Sequence, residues 1–183
     1  IWNASNRNIV ANFRGWYAFF SPDGKYVVTV SIDRIDRTYK ETDKVWVTAT
    51  GQLFTTLTGH SDFSPDGKYI VTTTGYSTAK VWNAVSGKLI TDLNGQPNNI
   101  NSASFSTNGK YLILYGDNAT VLDAVNFKFI KTIELDHGLL KDIDFTNNRF
   151  LITYPGDISI ADFETGKKIY TFIAVDSTDY LVY

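Results

Sequence analysis

The chain repeats itself, and that bounds its fold more tightly than any other feature. FSPDGKYVVT from Phe20 returns as FSPDGKYIVT from Phe63, as FSTNGKYLIL from Phe105 and as FTNNRFLIT from Phe145. A second run follows each: VWVTATGQLFTTL from Val45, VWNAVSGKLITDL from Val81, VLDAVNFKFIKTI from Val121 and IADFETGKKIYTF from Ile160, with IWNASNRNIVANF opening the chain in the same style. A period of about 40 residues means one supersecondary unit copied several times, each copy burying its faces only against its neighbours. Within a copy, apolar and polar residues alternate, rich in Val, Ile, Thr, Tyr and Phe, and the runs break at Asp-Gly, Asn-Gly or Ser-Gly. That pattern predicts short strands joined by tight turns. Pro22-Asp23-Gly24 and Pro65-Asp66-Gly67 have a turn mechanism, since Pro fixes φ, Asp bonds the backbone ahead and Gly24 or Gly67 accepts positive φ. Gly109 stands in the same place in the third copy. No long window carries a helical period, so helices are expected to be nearly absent.

A single four-stranded sheet cannot cover both its faces, and radial stacking of such sheets around an axis can. The expected fold is therefore all-β, a β-propeller of four-stranded antiparallel blades, with about four blades present. These residues resemble WD40 repeats: the Gly59-His60 pair, the FSPDGKY turn and a third strand bearing Trp46 or Trp82 match that family, and the resemblance covers nearly the whole chain. It departs from the family at the Trp-Asp pair, which reads Trp2-Asn3, Trp46-Val47, Trp82-Asn83, Leu122-Asp123 and Ala161-Asp162. The pattern is more like divergent bacterial WD repeats. The resemblance implies a hydrogen-bond network in which His60 reaches a Thr of 72–74 and Trp82, with the usual turn Asp replaced near Tyr76.

The expected layout is one partial propeller domain over 1–183. Residues 1–13 end a preceding blade, 16–57, 63–93, 100–133 and 139–172 are blades, and 173–183 begin a following one. A start at Ile1 rather than Met, in mid-pattern, reads as an internal piece of a larger, about seven-bladed propeller, an open arc with two unpaired lateral faces. The stretch from the end of a fourth strand to the next repeat's Phe is long from Leu93 to Phe105 and from Ile133 to Phe145, but about half that from Phe13 to Phe20 and from Leu57 to Phe63. The shortfall predicts that the chain is interrupted between Asp62 and Phe63, with innermost-strand residues missing, and again close to Gly15-Trp16. In the other direction, Ser31 to Lys44 exceeds its counterparts. It reads either as a solvated hairpin extension or as a contact loop using Arg34, Arg37, Tyr39 and Lys40.

Chemistry finds little to work with. There is no Cys, and the 2 His, His60 and His137, lack metal-ligand spacing and a nucleophile partner. Asp23, Asp66, Asp117, Asp157 and Asp162 recur with the repeat and are explained first as turn residues. No cofactor or metal is expected. With 17 Lys plus Arg against 19 Asp plus Glu in alternating short runs, no basic surface for nucleic acid or anionic lipid is implied, and no segment is apolar enough to span a bilayer. Aromatics, 15% of the chain, belong mostly to the packing between blades. Trp16, Tyr17, Tyr39 and Tyr76 fall near loops and are the expected interface anchors. The resemblance implies a scaffold that binds a protein or peptide through its rim, cytoplasmic and without catalysis of its own. The rival reading is a propeller enzyme or cofactor-bearing propeller whose active-site residues lie in other blades. The tail FIAVDSTDYLVY resembles the strand that leads into a further domain in bacterial multidomain WD-repeat proteins, some with a caspase-like peptidase.

Overall fold

Every Phe-Ser-x-x-Gly run becomes the hairpin between two strands, with a buried serine at its centre. Ser64 Oγ donates to Asp66 Oδ1 at 2.7 Å and accepts from the Tyr69 amide at 2.9 Å, while the Lys68 amide donates to the same Asp66 oxygen at 3.1 Å. Ser21 with Asp23, and Ser106 with Asn108, repeat the arrangement at 2.7 and 2.8 Å. Gly24, Gly67 and Gly109 have φ of 69°, 70° and 70°, closing turns that a Cβ would strain. The computed structural model describes residues 1, 5–35, 38–74, 78–93, 100–135, 139–144, 149–154, 157–165, 167–174 and 180–182, with backbone alone for strand residues 33–35, 38–40, 139–144, 151–154, 157, 173–174 and 180–182. There is no helix among them.

The first sheet, in order, is β1 (Tyr17–Phe20), β2 (Tyr26–Ile35), β3 (Thr38–Val47) and β4 (Leu53–Thr58). The second is β5 (His60–Phe63), β6 (Tyr69–Thr73), β7 (Ala79–Asn83) and β8 (Leu89–Asp92). The third contains β9 (Ser102–Phe105), β10 (Tyr111–Tyr115), β11 (Ala119–Asp123) and β12 (Phe129–Ile133), and the last β13 (Leu139–Asp144), β14 (Arg149–Tyr154), β15 (Asp157–Asp162), β16 (Lys168–Ala174) and β17 (Tyr180–Val182). Among the described residues the strand pairings are antiparallel, as alternating strands with tight turns require. The third and fourth strands of all four sheets share one irregularity. A register shift falls at Val45/Trp46, Val81/Trp82, Val121/Leu122 and Ile160/Ala161, leaving Phe54, Ile90, Ile130 and Ile169 as the extra residue of a bulge.

The chain divides into two compact units, Ile1–Phe105 and Ser106–Tyr183, where the sequence suggests one domain. In the first, Val28, Val30, Val45 and Leu57 from the first sheet bury against Phe63, Ile70 and Ala84 of the second. In the second, Ile113, Val121, Ile133, Phe150 and Phe163 form one cluster. Burying such residues stabilises by about 1.5–3 kcal/mol each, and this is what sets one sheet against the next.

Three expectations need correction. The chain is not interrupted before Phe63: His60–Phe63 is itself the first strand of the second sheet, pairing His60↔Thr73 through Phe63↔Ile70. Gly59, with φ of 91°, makes the whole connection from β4, so the short interval is a real short loop. At Gly15-Trp16 the chain also runs on, the Trp16 amide donating to Val30 O at 2.9 Å as it enters β1. Residues 180–182 do not open a further sheet but add antiparallel to β16, Phe172↔Val182 to Ala174↔Tyr180. Finally, no full strand forms among the described residues of 1–13; Ile1 and residues 10–11 pair, Val10 N donating to Ile1 O at 2.9 Å and the amino terminus to Ala11 O.

Candidate partner-binding surface

The Trp-bearing strand fixes its ring with a hydroxyl rather than with His60. Trp46 Nε1 donates to Thr29 Oγ1, and Trp82 Nε1 to Thr72 Oγ1, each at 2.9 Å. His60 does not join them. Its side chain is half exposed, and Nδ1 lies 3.5 Å from Glu41 Oε1. Strand β5 turns His60 outward and Ser61 inward, so His60 meets the first sheet only at the exposed Glu41 edge, while Ser61 meets it in the buried interior. The Ser61 amide donates to Asp43 Oδ2 at 2.9 Å, and Ser61 Oγ contacts the same oxygen. Asp43 is fully buried, and burial pushes its carboxyl above the usual range, against the Ser61 hydrogen bonds. The next residue, Asp62, faces β9, accepting from the amides of Phe63 at 2.9 Å and Phe105 at 3.2 Å; burial raises its carboxyl too.

The missing Asp of the Trp-Asp pair costs the turns nothing. Asn83 Oδ1 accepts from the Val85 and Ser86 amides at 3.0 and 2.8 Å, as Asp123 Oδ1 does from Val125 and Asn126 at 2.9 and 3.0 Å. An amide or a carboxylate oxygen serves equally as the acceptor here.

The insertion at Ser31 to Lys44 is a hairpin, not a loop. Strands β2 and β3 each run ten residues, pairing onward from Ser31↔Thr42 to Ile35↔Thr38. Arg34, opposite Tyr39, and Lys40, opposite Asp33, are placed along it by backbone alone. Arg37 and Tyr76 lie outside the described residues, as does His137.

At the base of that hairpin the anchors Trp16 and Tyr17 come together with residues that the sequence did not single out. Gly15 lets the chain lie against β2, because a Cβ there would sit 2.9 Å from Val30 O. The Trp16 backbone is thereby fixed, while its side chain is 83% exposed. Arg14, Gly15, Trp16, Ser31 and Ile32 line a cavity of about 480 Å³. A second of similar volume, lined by Phe13, Trp16, Tyr17, Phe20 and Val27 among others, continues from the same tryptophan along β1. Tyr17 is 61% and Phe20 58% exposed, whereas the counterparts of Phe20 in the next repeats, Phe63 and Phe105, are 5% and 7%. Comparing a residue's burial across repeats is the signal that would have found Phe20, and it needs the structure. The cluster places exposed aromatic side chains on a paired strand beside the Arg14 cation.

The WD domain, G-beta repeat family model matches residues 51–83. No curated protein matches the sequence. Among solved structures, the WD40 repeats of RRP9 superpose with a TM-score of 0.62 at 12% identity, covering 91% of this chain and 58% of that one. The Cps50 (Swd1) β-propeller domain of Myceliophteria thermophila gives 0.65 at 14% identity, covering 86% and 56%. U3-55K gives 0.62 at 11%, covering 91% and 59%, so the chain spans less than two thirds of each of these structures. Residues 51–83 match a WD40 repeat, and the four sheets together with these likenesses show the fold of the chain, four-stranded antiparallel blades of a WD40-type β-propeller.

Proposed function

We propose that the chain is a protein-interaction scaffold that docks a protein or peptide on the surface around Arg14, Trp16, Tyr17 and Ile32, as a sensing or regulatory module of a larger multidomain protein or complex and without catalysis of its own. The observation that carries this is Trp16, an indole almost fully in water on a backbone held by Gly15 and Val30 O. A large side chain displayed from a fixed backbone loses little conformational freedom on binding, which is why Trp dominates interface energetics. The extended β2–β3 hairpin, with Arg34, Tyr39 and Lys40 along it, borders this surface and extends it.

Phe20 fits a different occupant. Its counterpart Phe63 packs edge-on against Phe19 of the preceding sheet, ring centroids 6.3 Å apart. By repeat equivalence, the exposed Phe20 of β1 suits a further blade of the same kind.

Trp16→Ala and Arg14→Glu test the docking reading. Each is expected to abolish capture of a partner that the wild-type chain retains, with an unchanged denaturation midpoint, while Val85→Ser on the far turn leaves capture intact. Equal capture by wild type and both variants refutes it.

A further inference from the structure

We propose that Asp43 and Ser61 form a pH-dependent latch between the first and second sheets, engaged while the Asp43 carboxyl is neutral and weakened when it ionises. Asp43 sits in β3 three residues before Trp46. The residue in the same place of the next sheet, three before Trp82, is Ala79, and it is as buried as Asp43. Ser61, two residues before Phe63, corresponds to Ala103, two before Phe105. The repeat therefore puts small apolar residues at this level, and at one junction it substitutes a carboxyl and a hydroxyl.

Cross-strand neighbours Val30 and Leu57 flank Asp43 on its own face, both buried, and Ile70 of β6 packs in the same cluster. The titratable groups on this side are Glu41, two residues back on β3, and His60, next to Ser61 on β5; Glu41 opposes an Asp43 anion and His60 favours it. Asp43 Oδ2 receives both Ser61 donors, whereas no protein group donates to the buried Oδ1. An ionised carboxylate would leave half its charge on that bare oxygen, in an apolar slot. In the neutral form the Oδ2 hydroxyl donates a hydrogen bond to Ser61 Oγ, reversing the direction of that contact, the Ser61 amide still donates to Oδ2, and Oδ1 is a plain carbonyl oxygen.

A carboxyl whose folded-state value is raised supplies stability that is complete below its ordinary value of 3.8 and is lost as pH rises through the folded one. The full chain is compared with Asp43→Asn and with Asp43→Ala/Ser61→Ala, which reproduces the apolar pair of the next junction. Thermal midpoint and exchange of the Ser61 amide are followed from about pH 4 to about pH 8. The wild type is expected to lose midpoint relative to both variants as pH rises, by at least about 2–4 °C over the range, with the protection of the Ser61 amide relative to its intrinsic exchange rate falling in parallel. Asp62, also raised, is common to all three chains and cancels in the difference. A wild-type minus variant difference that is flat with pH overturns the latch. Should the variants not fold, the carboxyl carbon of Asp43 in the wild-type chain decides: titration above 3.8 supports the latch, and titration at or below it overturns it.

Discussion

The Gly-His pair at 59–60 offers the clearest separation between what the repeat pattern suggests and what the structure uses. In Gly59→Ala the new Cβ would stand 2.0 Å from Thr73 O, 2.6 Å from Thr73 C and 2.9 Å from Thr74 Cα. All three are backbone atoms, in or next to a paired strand, so no side chain can swing away to make room. The φ of 91° adds its own penalty, since an L-residue in left-handed space loses about 1–2 kcal/mol. Forcing extra volume into packed structure costs a further 1–3 kcal/mol or so. Together these amount to about 2–5 kcal/mol, which for a chain of this size lowers the melting midpoint by about 4–20 °C. His60→Ala removes a half-exposed side chain whose nearest charged partner is Glu41 at 3.5 Å, and it should stay within about 0.5 kcal/mol of wild type. Both variants are measured by thermal and urea denaturation beside wild type. Equal midpoints for the two, or a larger loss for His60→Ala, would refute the assignment of the connection to Gly59 and restore a structural role to the imidazole.

Two further outcomes follow from the turns. Ser64→Ala removes a buried hydroxyl that accepts from the Tyr69 amide at 2.9 Å and donates to Asp66, and should cost about 1–3 kcal/mol in urea denaturation, whereas Ser86→Ala on the exposed turn should change little. The Lys25 ammonium and the Ser21 hydroxyl hold the Asp23 carboxyl at about 2, so its contribution is present above 3.8 and is lost as pH falls through about 2; Asp23→Asn should narrow the gap to wild type over that interval, and a gap independent of pH refutes the pairing.

How much of this was legible depended on whether the signal was local. Strands and hairpins are local, and Pro65-Asp66-Gly67 states its turn in three residues. The seats of Asn83 and Asp123 are local too, though reading them as losses from a Trp-Asp pair hid their common role as acceptors for the turn amides. The serine after the Phe of each turn reads as exposed, while Ser21, Ser64 and Ser106 are each buried and accept the amide that closes the hairpin. The repeated bulge left no trace, since its extra residue falls inside apolar runs such as Leu89-Ile90 and Phe129-Ile130. Phe127 takes a φ of 59° where Gly51 and Gly87 stand in the earlier repeats, a position that composition would assign to glycine.

The misreading of His60–Phe63 shows the other half of the matter. His-Ser-Asp-Phe has no apolar alternation, so it looks like loop, and counting residues then makes the strand appear to be missing. What makes it a strand lies elsewhere in the chain: β6 supplies the backbone ladder, and Asp43, eighteen positions earlier, receives the Ser61 amide. Asp43 in turn sits in Glu41-Thr42-Asp43-Lys44, a stretch that reads as a solvated hairpin. Register puts it opposite Val30 on one side and Leu57 on the other, and those two pairings carry a charged residue from the apparent surface into the seam between sheets. Polarity in such a segment cannot be weighed from composition, because each residue's solvent is chosen by the strands that pair with it and by the sheet that closes over them. A polar pair in that seam is costly to keep unless both members are matched, so its survival at a level that the next junction fills with Ala79 and Ala103 ties β3 to β5 by a contact that a shift of register would break.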